Sequence, residues 1–446
     1  MTVEWNSVII MTKVVCEPEQ TNRLGGIVLE QTGSAADRTL YHLKNGVVPS
    51  STDGWPYVGR QAERHEMERL LHLTSSGQGS VKFISGDYGS GKTVFSRSVE
   101  ANALQQGFVV SRIQLNKSCL INNWETFYAQ LMHHLMFEED GQLCRDFEHL
   151  FDAWIRRLRQ NSDRTQAAGE LQRVIDRMHG FHHGFARAFL TYIQARIRND
   201  RELAYNAASW IKGEQNIPAS LKATFGVKGS VGRNSSMDFL KAFVHLLQLL
   251  SYRGLLIVVD ELDLIRTVRS DIRRTCYENV RFLYDGIVQG DFGPCAGLFL
   301  ATPHLFSDHE KGIPSHPPLD GRLGYPGRTA GPEPADLRRP VLHFSALGEE
   351  ELNRLTRQVI RLYQKAYDYT PRISPEGIRN WALLSLHQSS RIKLGVNTRS
   401  YLIHLVGILD TMQQHPGRHR FHSELKLVEQ DGVYGLVDAS YSKPNE

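Results

Sequence analysis

The sequence predicts an α/β fold built on a parallel sheet, and three observations carry that prediction. Short apolar runs recur between stretches of helical periodicity. One of them, Val81-Lys82-Phe83-Ile84, leads through the glycine-crowded "SGDYGSGKTVF" of 85–95 into helix-prone sequence. Another, Leu255-Leu-Ile-Val-Val259, ends abruptly in Asp260-Glu261. A run that is apolar at every position suits a strand covered on both faces, as strands of parallel sheets are.

Taken in order, residues 1–39 read as irregular, with linker-like Gln31-Thr-Gly-Ser-Ala-Ala-Asp37, and Leu40 to Val48 as a short helix. A turn-rich stretch, 49–56, precedes Tyr57-Val58-Gly59-Arg60 and a helix through Glu63, Met67, Leu70 and Leu71. Five candidate strands, 81–85, 108–113, 255–259, 297–301 and 341–344, place an α/β domain over 40–345. About 140 residues separate the second from the third, too many for a structureless loop. They read mostly as helix from Trp124 onward, a helical insertion over about 117–252 that ends in an amphipathic helix, Met237 to Leu250. Helical periodicity dominates 346–414 and predicts a lid domain. In the tail, 415–446, Asp431-Gly432 between two alternating runs reads as a β-hairpin.

At 446 residues, 41% hydrophobic and 22% charged, the chain has the composition of a soluble globular protein of two or more domains. A formal charge of +4 neither demonstrates nor opposes nucleic-acid binding. Five cysteines without C-x-x-C spacing argue against a disulfide framework and a zinc knuckle. With no signal peptide and no apolar run near ~20 residues, a cytoplasmic location is expected and no membrane span.

Gly86 to Thr93 fits G-x-x-x-x-G-K-[ST] in the strand–loop–helix context that this motif requires. Gly86, Asp87, Tyr88, Gly89, Ser90 and Gly91 supply a flexible backbone whose N–H groups can converge on phosphate, helped by the helix N-terminus. Lys92 can reach the β- and γ-phosphates of ATP, and the Thr93 hydroxyl can ligate Mg²⁺. A second glycine-rich stretch, Gly226 to Arg233, lacks a preceding strand and a Lys-Thr/Ser pair. It reads as a mobile loop, with a contact to nucleic-acid phosphate as the alternative.

A carboxylate at the C-terminal end of a buried parallel strand lies where open α/β sheets bind ligands. Asp260 can therefore hold Mg²⁺, and Glu261 can orient and polarise a water for attack on phosphorus. Gly297-Leu-Phe-Leu-Ala301 ends in Thr302-Pro303. The Thr302 hydroxyl can sense the γ-phosphate or hold the lytic water; the plainer reading is a strand-ending Thr-Pro turn.

These pieces, with Val58-Gly59-Arg60 ahead of the loop and Asn397-Thr398-Arg399 in a late helix, resemble the AAA+ plan, nearest its origin-recognition and STAND clades. More narrowly, "LKNGVVPSSTDGWPYVGR", "GDYGSGKTVF", "DELDLIRTVRSDIRR", "LFLATPHLF" and "PPLDGRL" resemble the BrxD-like ATPases of BREX bacteriophage-exclusion systems, in blocks from about 40 to 412. The resemblance implies a five-stranded sheet with the 297–301 strand between the two site-bearing strands, and a C-terminal helical lid. It implies that Val58 and Gly59 line the adenine pocket, that Arg399 reaches the nucleotide from the lid, and that Arg322 is an arginine finger offered to a neighbouring subunit. On the residues alone, Arg322 is a surface arginine in a Pro/Gly-rich segment, 312–335, and Arg399 an exposed arginine at a helix start.

Other signals are weaker. Arg266, Arg269, Arg273 and Arg274 can meet DNA phosphates on one helix face or can be a solvated face. His179, His182 and His183 lack a further metal ligand in the sequence, and Trp124, Phe127 and Leu131 are spaced for core packing. The leading expectation is a Mg-ATP-hydrolysing AAA+-like ATPase that remodels a protein or protein–DNA complex as a homo-oligomer, with other phage-defence proteins as partners. A STAND-like nucleotide switch is the alternative. A small-molecule kinase lacks an acceptor-site signature, and an ABC-type ATPase lacks an L-S-G-G-Q-like segment.

Overall fold

A computed structural model describes residues 34–49, 54–160, 164–232, 235–324, 336–391, 396–415, 425–430 and 433–438. Seven strands make the main sheet: β1 (Ser80–Gly86), β2 (Val109–Gln114), β3 (Leu135–Glu139), β4 (Gln142–Arg145), β5 (Leu255–Asp260), β6 (Cys295–Ala301) and β7 (Val341–Phe344). Their order is β4-β3-β2-β5-β6-β1-β7. β2, β5 and β6 are parallel, with Val109 opposite Leu255 and Leu255 opposite Cys295. β6 stands between β5 and β1, as the resemblance implies.

β5 as far as Val259 and all of β6 are apolar, as suits strands covered on both faces: Leu255 to Val259 and Cys295 to Ala301 are buried. Burying one such aliphatic side chain contributes about 1.5–3 kcal/mol. β1 carries a charge within its apolar run. Its Lys82 is buried, and its ammonium donates to the carbonyls of Leu337 (2.7 Å) and Arg339 (2.6 Å) beside Glu66.

The sheet has seven strands where the sequence predicts five-strand architecture. The two additional strands, β3 and β4, extend the β2 edge as an antiparallel hairpin inside the stretch read as helical. Its turn is Asp140-Gly141, with φ of 51° and 73°. Two successive positive φ angles belong to the type I′ turn that Asp-Gly favours. Most of the described remainder of that stretch is helical, in Phe147–Gln160, Arg164–Phe181, His183–Ile197, Arg201–Lys212, Ala219–Thr224 and Ser236–Leu249. Trp124, Phe127 and Leu131 of helix Trp124–His133 are buried in the core.

Two further expectations change. Helix Ala35–Lys44 begins inside the predicted linker, because the Ser34 hydroxyl accepts the Asp37 N–H (3.2 Å) and caps it. The second glycine-rich loop is anchored over its described part, 226–232. Val227 and Val231 are buried, the Trp210 indole donates to the Gly229 carbonyl (3.2 Å), and Arg187 donates to that of Gly226 (2.9 Å). Arg233 lies outside the described residues. Near the C-terminus, β8 (Leu425–Gln430) and β9 (Val433–Asp438) pair antiparallel with Gln430 opposite Val433, the register of a two-residue connection.

The described chain divides into two compact units. One comprises Glu66–Phe83 and Val99–Val341; the other comprises 34–65, Ile84–Ser98 and the described residues from Leu342 onward. Each has its own apolar core. The first is built around β2, β5, β6 and the helices between, the second around Leu40, Leu355, Val359, Tyr363, Leu405 and Leu409. No described helix is long and apolar enough to cross a membrane.

Candidate nucleotide site

In the second unit the glycine-rich loop closes β1 and opens helix Lys92–Gln105. Gly89 (φ 78°) and Gly91 (φ 91°) are left-handed, a conformation that costs other residues about 1–2 kcal/mol. The Lys92 ammonium donates to the carbonyls of Gly86 (2.5 Å) and Asp87 (3.0 Å) and lies 5.6 Å from the centre of the Tyr88 ring. Asp87 and Tyr88 are exposed, while the Ser90 hydroxyl is buried with no hydrogen-bond partner. A buried polar atom without a partner, beside a cation and a helix start whose first N–H groups point outward, fits an anionic ligand. Thr93 sits half-buried in the first helical turn.

The same unit brings the late helix onto this loop. The Thr398 N–H donates to the Gly89 carbonyl (3.2 Å), and a Cβ added at Gly89 would come within 2.7 Å of Asn397 Cγ. Arg399 follows, exposed, with its side-chain carbons against Gly46. The Tyr57-Val58-Gly59 segment is fastened to helix Glu349–Tyr367 by Gln358, which accepts the Tyr57 N–H (2.8 Å) and donates to its carbonyl (3.1 Å). Val58 packs on the second core, and Gly59 (φ 70°) sits where any Cβ would strike Glu351. Burial of Tyr57 holds its phenol neutral well above the usual range.

This contact between loop and late helix is testable. Gly89→Ala is expected to lower the melting temperature and to weaken ATP binding about tenfold or more, since it adds left-handed strain to the Asn397 collision. Adding Asn397→Ala should recover part of the lost ATP affinity by removing the collision, though not the melting temperature, because the Asn397 side chain also caps its helix by accepting the Ser400 N–H. Melting curves and ATP titrations that match wild type for Gly89→Ala would remove the close approach from consideration.

In the first unit the end of β5 presents the acidic pair. Asp260 Oδ1 accepts the Glu261 N–H (2.9 Å), and Oδ2 pairs with Arg112 of β2. Arg112 also pairs with Glu100 of helix Lys92–Gln105, and both Arg112 and Glu100 are largely buried. Glu261 is exposed and left-handed (φ 60°, ψ 37°). For a residue other than glycine this is a strained conformation of the kind that concentrates at working sites. At the end of the neighbouring β6, Thr302 is 3% exposed and held by Asp263.

Sequence reasoning missed Arg112, Glu100 and Asp263. The arginine interrupting the apolar run Phe108-Val-Val-Ser-Arg-Ile113 was a signal; that this strand lies beside β5 was not legible.

Arg322 sits in helix Pro317–Leu323, exposed, and its guanidinium donates to Asp285 (2.5 Å) and to the Pro318 carbonyl (2.6 Å) of its own chain. Residues 325–335 of the Pro/Gly-rich segment lie outside the described set. Three of the four candidate DNA-contacting arginines are engaged internally: Arg266 with Asp308 (2.6 Å), Arg269 with Asp271 (3.3 Å) and Arg273 with the Val268 carbonyl (3.0 Å). The Arg266 hydrogen bond is the main cause that holds Asp308 down at about 2. His179 and His183 approach to 3.1 Å between their Nδ1 atoms, and among the described residues no group of three or more ligating side chains forms.

A model of the family described as BREX system ATP-binding protein BrxC/D matches residues 34–427. The chain belongs to this family. The family's description, an ATP-binding protein of BREX systems, agrees with the motif blocks read from the sequence. Among solved structures, the Aeropyrum pernix ORC2 protein (ADPNP–ADP complexes) is similar at 13% identity and a TM-score of 0.39, over 84% of this chain and 66% of that one. Drosophila ORC bound to DNA is similar at 12% identity and a TM-score of 0.38, over 89% and 65%. The BrxC/D chain thus spans just under two thirds of the length of either. No curated protein sequence matches it.

Proposed function

We propose that this BrxC/D-family chain hydrolyses Mg-ATP and uses the turnover to rearrange a protein or protein–DNA complex of its defence system. The observation that carries hydrolysis, beyond binding, is Glu261, a strained acidic residue directly after the strand that presents Asp260. Residues 86–93 cradle the phosphates, Lys92 supplies the positive charge, and Val58 and Gly59 line the base. Thr93 and Asp260 are assigned to Mg²⁺, which when bound would neutralise developing phosphate charge. Glu261 positions and polarises the attacking water, and Thr302 assists it. Arg399 steadies the phosphates from the late helix, and Arg322 acts in trans between subunits of a homo-oligomer.

A second reading, a monomeric ATP-dependent switch, is favoured by one observation: Arg322 is paired within its own chain. The two readings part experimentally. If Arg322 works in trans, Arg322→Ala binds ATP normally and hydrolyses it roughly 10³-fold or more slowly, the low end for an arginine finger. Mixing it with Lys92→Ala, which retains Arg322, then restores part of the rate, and the wild-type rate per subunit rises with protein concentration. A concentration-independent rate and no rescue on mixing would establish the switch. The same assay with and without double-stranded DNA tests the protein–DNA arm.

A further inference from the structure

The Thr302 hydroxyl has two candidate roles, and they differ in the direction of one hydrogen bond. To sense the γ-phosphate it must donate, because phosphate oxygens only accept. To hold a water so that its proton is directed away from phosphorus, it must accept. The choice is made by the residue that Thr302 already touches.

β5 and β6 run parallel with Val259 opposite Phe299, so their C-terminal ends emerge side by side. After β5 the left-handed Glu261 turns the chain into a short 3-10 helix, Leu262–Thr267, that carries Asp263. From there the Asp263 carboxylate takes both donors of Thr302: Oδ2 accepts its backbone N–H at 2.7 Å, and Oδ1 accepts its hydroxyl. Thr302 is 3% exposed, so this clamp is shielded from exchange with solvent. A hydroxyl has one proton and two lone pairs, and a carboxylate has only acceptors. The proton of Thr302 is therefore committed to Asp263, and among the described residues no donor is hydrogen-bonded to its oxygen.

We propose that Asp263 is a positioning residue that fixes the polarity of the Thr302 hydroxyl, so that Thr302 serves the reaction as a hydrogen-bond acceptor for the lytic water and not as a donor to the γ-phosphate. This rests on the ATP-hydrolysing reading above and narrows it. The charge on Asp263 also makes the Thr302 oxygen a better acceptor, because hydrogen bonds in a chain polarise one another. Glu261 and Thr302 then act as two acceptors for one water.

The test is a comparison of turnover with ATP and ADP affinities in the full-length protein. Thr302→Val removes the hydroxyl and keeps the shape and the backbone N–H. It is expected to lower kcat about tenfold or more while both affinities stay within about twofold of wild type. Thr302→Ser restores the hydroxyl and the clamp and should therefore recover most of the rate that Thr302→Val loses. Asp263→Asn offers an NH₂ donor to the Thr302 oxygen and releases its proton; kcat should fall as in Thr302→Val, with ATP affinity unchanged or higher. The double variant should be no slower than the slower single one, since the two residues act as a unit.

A Thr302→Val protein that loses about tenfold or more in ATP affinity, with ADP affinity intact, would overturn the proposal, as that is the scale of a lost hydrogen bond to a charged group. Wild-type turnover in Thr302→Val would overturn it equally, and that variant carries the test even if Asp263→Asn does not fold. A wild-type chain that binds ATP without hydrolysing it would remove the underlying reading, an outcome visible before any variant is made.

Discussion

Lys92→Ala is expected to weaken ATP binding by roughly 30-fold to several thousand-fold and to leave the fold intact. The magnitude follows from removing one member of a hydrogen-bonded charge pair, which costs about 2–5 kcal/mol. The fold should survive because position 92 opens a 14-residue helix, where alanine is the most favourable residue. The substitution also removes the two bonds from the ammonium to the Gly86 and Asp87 carbonyls, which ATP phosphates would have to replace. Loss of those bonds acts on both nucleotides, whereas ADP lacks the γ-phosphate that the ammonium would also meet, so the effect should be smaller for ADP than for ATP. Calorimetric titration with both nucleotides, alongside a melting curve, checks this. An ATP affinity within threefold of wild type would sink the assignment of residues 86–93 as the phosphate cradle.

What the sequence made legible follows the range of the interactions concerned. β1, β2, β5, β6 and β7 were found to within two residues: burial on both faces leaves a continuous apolar trace in β5 and β6, and in β1, β2 and β7 a trace broken at only one or two positions. The glycine-rich loop was legible because its requirements are local: glycines at 89 and 91 for positive φ, then Lys92 at a helix start. The β3–β4 hairpin was missed although Asp140-Gly141 carries the same signal that identified the strands at 425–438. There the apolar Leu135-Met-Phe137 and the aromatic-rich helix before it masked a strand as more helix.

The clamp of Asp263 on Thr302 lay out of reach for a different reason. Those residues are 39 apart in the chain, and only the β5–β6 register brings them together. Asp263 reads in isolation as one more acid in D-E-L-D. Arg112 reads likewise as a flaw in an apolar strand, until β2 is seen beside β5. Local chemistry was readable, and the partners that tune it were not, because pairing across a sheet is not written in either strand alone.

Glu261→Gln carries the other large effect: hydrolysis is expected to fall about 10²–10⁴-fold with ATP affinity nearly unchanged. The amide keeps the size of the side chain and removes the charge that polarises the water. It also keeps the left-handed backbone at nearly the same strain, so the comparison isolates the carboxylate. Glu261→Gly separates the two contributions. Glycine accepts φ near 60° without a steric penalty, so this variant should melt no lower than wild type while hydrolysing ATP as slowly as the Gln variant. A site residue whose removal costs turnover and no stability is one that the fold strains for the sake of the reaction. The Gln variant also divides motor from switch in a phage-challenge assay. A motor stalled in its ATP-bound state loses protection, whereas a switch held in that state keeps or gains its partners. Wild-type turnover in Glu261→Gln would end its assignment as the residue acting on water.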